Sequence, residues 1–189
     1  MLPSKNKYLS NVSFDTVIFG FTGEELKILV LEYQNSGMLA LPARGLGYEL
    51  EEDNWMLDRF ITIGYYSLIN YNQVKPKPNK YSDSINWYSI SNLPPLMMDH
   101  EKIVEKALEA IRTDLLKKPI GINLLPEKFT MKELQKVHET ILNKKLRRTT
   151  FQRKILNMDI LKRHEKLFTG AANKAPYLYS FDKDKIDNT

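Results

Sequence analysis

The spacing of apolar residues changes once along the 189-residue chain, and this change limits the fold more than any other feature. Up to about residue 98 the apolar residues fall in short runs rich in β-branched and aromatic side chains, which are typical of strands. From Asp99 onwards the spacing becomes helical, because apolar residues recur every four positions at Ile103, Ala107, Ile111 and Leu115. The pattern predicts a strand-rich first part that ends in a helix of roughly four turns, with Asp99 as its N-cap.

The strand-rich part begins with the signal of a β-hairpin. Residues 14–21 and 26–33 are typical of strands, and the four residues between them place Thr22-Gly23 in the turn. Further strands are predicted at residues 59–71 and 85–90, with a proline-containing loop between them.

Residues 117–129, "KKPIGINLLPEKF", carry two prolines and one glycine and separate two regions of opposite charge. Residues 1–116 hold 11 Lys and Arg against 15 Asp and Glu, a net charge of −4; residues 117–189 hold 17 against 8, a net charge of +9. We therefore predict two domains, at residues 1–118 and 119–189, the second of which faces a polyanion. Charge alone leaves open the alternative of a solvated basic surface.

The basic domain begins with a strong helix signal. Thr130 and Glu133 fit a capping box, and Phe129 and Leu134 are placed for the hydrophobic staple that accompanies it. A helix is predicted from about Thr130 to Leu142, with an apolar face formed by Met131, Leu134, Val137 and Ile141.

A second helix is predicted after the basic linker "NKKLRR". The pair Thr149 and Gln152 repeats the capping pattern, and the inner face is formed by Phe151, Ile155 and Met158. Helical geometry then places Thr149, Arg153 and Asn157 on the outer side, flanked by Arg148 and Gln152. Two short helices with a tight connection predict a helix-turn-helix, whose second helix can enter the major groove of DNA.

Two strand-like runs follow around a small-residue loop that carries Lys174, which predicts the wing of a winged helix. Arginine commonly reads guanine, glutamine and asparagine read adenine, and threonine can bond bases or phosphates. Duplex DNA is favoured over RNA because no aromatic pair of an RNA-binding strand is present in the sequence. The predicted DNA-contacting residues are Lys145, Arg147, Arg148, Thr149, Thr150, Gln152, Arg153, Asn157 and Lys174.

The chain resembles the Nudix-related transcriptional regulators over nearly its whole length. The first part, with "VSFDTVIFGF", "RFITIGYYSLINY" and "INWYSISNLPPLMMDHEKIVEKALEAI", is similar to their Nudix-like domain. The second part, with "LLPEKFTMKELQ", "FQRKIL" and "PYLYSF", is similar to their C-terminal winged helix. The resemblance implies an α+β fold, with a Nudix-like mixed sheet followed by a winged helix-turn-helix. It also implies an effector such as ADP-ribose, a related nucleotide or a pentose sugar.

The metal-binding element of Nudix hydrolases is not found in the sequence. In those relatives the segment after Leu-Pro carries Gly-Gly and then a helix with an Arg-Glu-x-x-Glu-Glu core that binds magnesium. Here Pro42 is followed by Ala43 and Arg44, and the acidic residues of 49–53 lack that spacing. The residues up to Arg59 are too few for a strand–helix–strand passage. Either the element is lost or a segment between Asp53 and Asn54 is missing from the sequence; we favour the second interpretation.

The composition excludes several other classes of protein. The absence of cysteine rules out a disulfide scaffold and a thiolate-ligated zinc site, and it fits a reducing compartment. No apolar run is long enough for a membrane span, and the first residues lack the apolar core of a signal peptide. We predict a cytoplasmic protein with no membrane partner, no cofactor, no metal and no catalytic residue. His100 is interpreted as a helix-start residue.

These observations predict a transcriptional regulator, a repressor released when a small molecule binds its degenerate Nudix domain. A homodimer is expected because one short recognition helix covers few base pairs. A neutral sugar is placed slightly ahead of ADP-ribose as effector, because the first part is acidic. Two alternatives remain: an ADP-ribose-type pyrophosphatase whose catalytic segment is absent from the sequence, and a structural DNA-binding dimer without effector. The predicted effector-binding residues are Glu32, Tyr33, Arg44, Arg59 and Tyr65.

Overall fold

The computed structural model describes residues 12–45, 61–115, 120–167 and 175–186. The acidic residues 49–53, together with Arg59 and Lys174, lie outside the described residues, so the predictions made for them stay predictions. Among the helices of the described ranges, none combines the length and apolar character needed to cross a membrane.

The first domain is built on an antiparallel hairpin, as the sequence predicted. Strands β1 (Val12–Phe21) and β2 (Leu26–Tyr33) pair next to the turn, where Phe21 lies opposite Leu26. The Thr22 hydroxyl accepts a hydrogen bond from the Glu25 N–H at 3.2 Å, and Gly23 has a φ of +100°. A positive φ is readily adopted by glycine, which explains why the turn falls at this Thr-Gly pair.

The remaining strands extend the hairpin into a mixed six-stranded sheet. One edge of β1 pairs in parallel with β5 over ten residues, and its other edge pairs antiparallel with β4 at one end and with β2 at the other. One edge of β2 pairs with β6, and the other is shared by β1 and β3. The additional strands are β3 (Leu39–Ala40), β4 (Ala43–Gly45), β5 (Ile61–Asn70) and β6 (Ser82–Ser89).

Helix α1 (His100–Asp114) packs against this sheet and closes the first domain. The predicted stripe is largely confirmed, because Ala107, Ile111 and Leu115 are buried. The predicted N-cap position of Asp99 is also confirmed, but the expected side-chain cap is wrong: the Asp99 carboxylate makes no cap hydrogen bond within the described residues. Its backbone lies outside the extended region that N-caps usually adopt, with φ −106° and ψ 17°.

The second domain contains the predicted helices and a small sheet. The first helix, α2, carries the full capping box at Thr130 and Glu133 and buries Leu134, Val137 and Ile141, as predicted. A three-stranded sheet in the order β7, β9, β8 packs beside it. The elements are β7 (Phe129–Thr130), α2 (Met131–Leu142), α3 (Arg148–Asn157), β8 (Leu161–Lys166), β9 (Tyr177–Phe181) and α4 (Lys183–Ile186).

The capping box gives a first testable prediction. The Thr130 hydroxyl accepts from the Glu133 N–H at 3.3 Å, and the Glu133 carboxylate accepts from the Thr130 N–H at 2.7 Å. Replacing Thr130 with alanine removes the hydroxyl partner and should lower the free energy of unfolding by roughly 0.5–2 kcal/mol, measured by urea denaturation. Thr149→Ala is the matched control, because Thr149 is exposed and caps no helix among the described residues. Equal losses in the two variants would contradict this role of Thr130.

The two predicted domains share one hydrophobic core. A single buried cluster runs from Val17 and Phe19 in the sheet, through Ile111 of α1, to Ile141 of α2 and Tyr179 of β9. Polar contacts among the described residues also join the two parts: the Arg112 Nε donates to the Ile141 carbonyl at 2.9 Å, and Lys136 pairs with Glu24 of the hairpin turn at 2.9 Å. The boundary at residues 118 and 119 stays a prediction, because residues 116–119 lie outside the described ranges.

Candidate nucleic-acid interface

The connection between α2 and α3 is held by side chains of α2. Asn143 ends α2 in the left-handed conformation, with a φ of 50°. Glu139 accepts hydrogen bonds from the Leu146 N–H at 2.8 Å and from the Gln135 amide at 3.0 Å, and Gln135 also donates to the Leu146 carbonyl. The Leu146 N–H, followed by Gln135, lowers the pKa of Glu139, so its carboxylate is charged near neutral pH. These bonds fix the direction in which α3 leaves the turn.

Helix α3 begins two residues earlier than the capping pattern suggested. Its N-cap is Arg147, and the N–H of Phe151 donates to the Arg147 carbonyl at 2.9 Å. Thr149 is therefore the second residue of the helix, where it cannot act as N-cap, and the predicted Thr149–Gln152 capping box is wrong. Among the described residues, no side chain caps the start of α3.

The predicted orientation of α3 is confirmed by the burial of its side chains. Phe151 and Ile155 are 6% and 5% exposed, and Met158 packs against the same core. The opposite side carries four exposed side chains, which we call the reading face: Thr149, Arg153, Leu156 and Asn157. Of these, Leu156 was not predicted, although its position seven residues after Thr149 places it on this face.

The other predicted DNA-contacting residues flank the reading face. Arg148 and Thr150 of α3 are exposed, Gln152 is partly buried, and Lys145 and Arg147 are exposed in the preceding turn. Lys145 lies 3.7 Å from the Glu139 carboxylate, so it is partly neutralised in the absence of a ligand. The exposed residues give this end of the domain a cluster of cations next to hydrogen-bonding side chains, the chemistry that phosphates and base edges require.

His138 is a residue of α2, and its side chain packs against the inner side of α3. Its ring meets the ring of Phe151 edge to face, at 5.0 Å between centroids. Burial, with a smaller contribution from the charge of Lys154, lowers the pKa of His138 from 6.5 to about 4. The imidazole is therefore neutral near pH 7 and acts as part of the contact between α2 and α3.

This burial predicts an acid-sensitive stability. The unfolded chain takes up a proton on His138 near pH 6.5, but the folded protein does so only near pH 4. Above pH 6.5 the residue is neutral in both states and does not lower the free energy of unfolding. As the pH falls from 6.5 towards 4, the unfolded state binds the proton preferentially and the free energy of unfolding declines. Replacing His138 with glutamine should flatten the dependence of the free energy of unfolding on pH across this window, as measured by urea denaturation at several pH values. Asn157→Ala, which removes no titrating group, should keep the wild-type dependence. An unchanged slope in the His138 variant would contradict this assignment.

The two strands of the predicted wing are confirmed as an antiparallel pair, β8 and β9. Where the connecting segment joins the two strands, the Tyr177 ring is covered by two cations, with the Arg163 guanidinium at 4.8 Å and the Lys166 ammonium at 5.3 Å from the ring centroid. These residues were not predicted as a group, because they become neighbours only when the strands pair. They place further positive charge on the wing strands.

The predicted effector-binding residues occupy two parts of the sheet. Arg44 of β4 and Tyr65 of β5 lie on the strands at either side of β1, and the Tyr65 ring, 55% exposed, stacks with Phe14 at 6.2 Å. Glu32 and Tyr33 lie at the end of β2, where the Glu32 carboxylate accepts from the Ser84 hydroxyl at 3.0 Å. The hypothesis that these residues line one pocket with Arg59 stays a prediction.

A buried polar pair supports the loop between β3 and β4. His100 is the first residue of α1, as predicted, and its Nδ1 accepts a hydrogen bond from the Leu41 N–H at 3.0 Å. Its Nε2 faces the buried Asp15 carboxylate at 3.9 Å. Burial raises the pKa of Asp15, and the neighbouring His100 partly offsets this. His100 thus ties the start of α1 to the loop between β3 and β4, and the Asp15 carboxylate lies on the other side of its ring.

The described residues contain no group of three or more His, Asp and Glu side chains that could hold a metal ion. Taken together, the described residues define a class: a mixed β-sheet followed by a winged helix whose helix α3 presents a polar, cationic face.

Comparison with known proteins agrees with this class. Residues 121–181 match the family described as the NrtR DNA-binding winged helix domain. The chain is 25% identical over 130 residues to the ADPR-responsive transcriptional repressor NtrR of Acinetobacter baylyi. The match covers 67% of this chain and 51% of the relative, so the chain spans about half the length of that curated protein.

Solved structures extend the similarity to both domains. NrtR of Shewanella oneidensis superimposes with a TM-score of 0.74 at 23% identity, covering 93% of this chain and 95% of that one. The same protein in complex with a 27mer DNA gives a TM-score of 0.73 at 21% identity, with the same coverage. A MutT/nudix family protein of Enterococcus faecalis gives 0.71 at 14% identity, covering 96% and 89%. The predicted α+β fold and the resemblance to the Nudix-related regulators are therefore confirmed.

Proposed function

We propose that this protein is a DNA-binding transcriptional repressor whose Nudix-like domain binds a small-molecule effector. The observation that carries the proposal is the reading face of α3. It presents Thr149, Arg153 and Asn157 to solvent on a helix whose opposite side is locked into the core by Phe151 and Ile155. Such a helix can enter the major groove without disturbing the fold behind it.

The charge distribution supports the same function. The second domain carries a net charge of +9 in the sequence, and Lys145, Arg147 and Arg148 are exposed at the entrance to the reading helix. Contacts of these side chains with phosphates would supply sequence-independent affinity, and the reading face would supply the preference for particular bases. The repressor assignment is supported by the similarity to the A. baylyi regulator.

We propose ADP-ribose, or a close nucleotide relative, as the effector. The relative that the chain resembles is named as ADPR-responsive, which reverses the slight preference for a neutral sugar drawn from the acidity of the first domain. We further propose that the protein acts as a homodimer, because one reading helix covers few base pairs and two copies would read a two-fold symmetric site.

The proposed function is tested with the full chain in two steps. A duplex is first selected from a random library, and its affinity is compared with that of a scrambled duplex across a salt series. We expect tighter binding of the selected duplex and a steep loss of affinity with salt. Equal affinity for both duplexes would rule out a sequence-reading regulator.

The second step adds ADP-ribose, with arabinose as the comparison ligand. By linkage, a repressor's effector must weaken DNA affinity by the same factor by which DNA weakens effector affinity. We expect ADP-ribose to bind in calorimetry and to release the selected duplex. Release by arabinose alone would restore the sugar hypothesis, and binding without any change in DNA affinity would contradict the switch.

The Nudix-like fold supports one alternative, a pyrophosphatase. This alternative shares only the fold of the E. faecalis structure, over 96% of this chain, and it requires a catalytic segment that the sequence as given lacks after the acidic residues 49–53. We propose that the chain as given is not an enzyme, because its sequence lacks the Arg-Glu-x-x-Glu-Glu core in this segment. Magnesium-dependent hydrolysis of ADP-ribose by the purified chain would favour the alternative.

A further inference from the structure

One side chain of the reading face does not match its neighbours. Leu156 is 43% exposed, although it lies on the same helix as the buried Phe151 and Ile155. It is three residues after Arg153 and seven after Thr149, spacings that bring side chains to the same side of a helix. The exposed Leu156 therefore extends the line of the two polar residues that are best placed to meet bases.

The distance from Thr149 to Leu156 can be compared with the spacing of base pairs in DNA. Thr149 and Leu156 are separated by about 10 Å along the axis, at about 1.5 Å per residue. Successive base pairs are about 3.4 Å apart along the DNA axis, so a helix that lies in the groove at an angle to that axis brings the three side chains within at most about three base-pair steps. Leu156 would then face a base pair next to the one that Arg153 contacts.

The chemistry of the groove determines what an apolar side chain can read there. Leucine offers neither a donor nor an acceptor, so it gains nothing from the hydrogen-bonding edges of guanine, adenine or cytosine. In the major groove, the C5-methyl group of thymine is the apolar feature that distinguishes one base pair from another. Contact with this methyl removes apolar surface from water on both molecules.

We propose that Leu156 contacts the C5-methyl group of a thymine adjacent to the base pair read by Arg153, and thereby selects thymine at that position. The inference rests on the proposed DNA-binding function and adds a specificity-determining residue to it. An exposed leucine is common on protein surfaces and would not by itself indicate a contact. What distinguishes Leu156 is its place on the reading face, within one helical turn of Arg153 and next to Asn157.

The test is a cycle that pairs a protein variant with a DNA variant. The full chain and its Leu156→Ala variant are titrated with the selected duplex and with copies in which single thymines are replaced by deoxyuridine, which lacks only the C5-methyl. For the wild-type protein, one replacement should weaken binding by about fourfold, the effect of one buried methyl group. Leu156→Ala should bind the thymine duplex more weakly and should be insensitive to that same replacement.

Leu167→Ala is the matched control, because Leu167 is 39% exposed in the same domain but lies outside α3. This variant should keep the full deoxyuridine penalty, and the unfolding midpoint of Leu156→Ala should stay close to that of the wild type. The inference is overturned if no thymine shows the penalty, or if Leu156→Ala retains it. Sequence-specific binding without this coupling would overturn the Leu156 contact alone, whereas failure to prefer the selected duplex would overturn the proposed function as well.

Discussion

Replacing Arg153 with alanine should weaken binding of the selected duplex by about 1–3 kcal/mol, the cost of losing one bidentate base contact. Arg153 lies in the middle of α3 and is exposed, so its guanidinium is free to meet a base edge rather than the core. The same change should also relax the preference for one base pair, because the alanine variant cannot distinguish guanine from other bases there. Competition titrations with duplexes altered at each position measure both effects.

The control for Arg153 is a cation of the first domain. Lys102→Ala removes the same charge from an exposed position on α1 and should leave the order of preference among duplexes unchanged. If Arg153→Ala lowers affinity for all duplexes equally, Arg153 contacts phosphates rather than bases, and the assignment of α3 as the reading helix would be wrong.

The largest loss of stability is expected when Leu134 is replaced with alanine. Leu134 is 1% exposed on the inner face of α2 and belongs to the core that both domains share. Removal of its buried side chain should lower the free energy of unfolding by about 2–5 kcal/mol, through lost apolar burial and the cavity that remains. Urea denaturation followed by circular dichroism measures this loss.

Leu156→Ala serves as the matched comparison, since it is the same substitution at a position 43% exposed. Its loss should be within about 0.5 kcal/mol, as for most surface changes. Similar losses in the two variants would show that the burial of α2 and α3 is not as described.

The helical part of the fold was predictable because its signals are local. The capping box at Thr130 and Glu133 and the apolar face of α2 depend on residues within one helix, and both are confirmed. The start of α3 was misplaced because Thr149 has the side chain of a good N-cap, while the backbone begins the helix at Arg148. The polar bonds of Gln135 and Glu139 to Leu146 fix the preceding turn, and they are not visible in a linear pattern.

The sheet was only partly predictable, because most of its strand pairs join residues that are distant in sequence. The β1–β2 hairpin follows from neighbouring residues and a Thr-Gly turn, whereas β5, the partner of β1 on its other edge, comes from a distant segment. The site residues were likewise predictable where local geometry places them and not where strand pairing does. The outward position of Arg153 follows from helix geometry, but Leu156 was missed because apolar residues are assigned to the core by default. The cations over Tyr177 were missed because strand pairing brings them there.

The parallel pairing of β1 with β5 has a consequence for the order of folding. Val12 lies opposite Ile61 and Phe21 opposite Asn70, so the ladder joins segments 49 residues apart, and strands β2, β3 and β4 lie in the long connection between them. During synthesis β1 can meet β2 early, but it must wait for β5 until residue 70 has left the ribosome. Contacts of such long sequence separation form slowly. Until then one edge of β1 lacks its native partner, and an unpaired strand edge can pair with a strand of another chain.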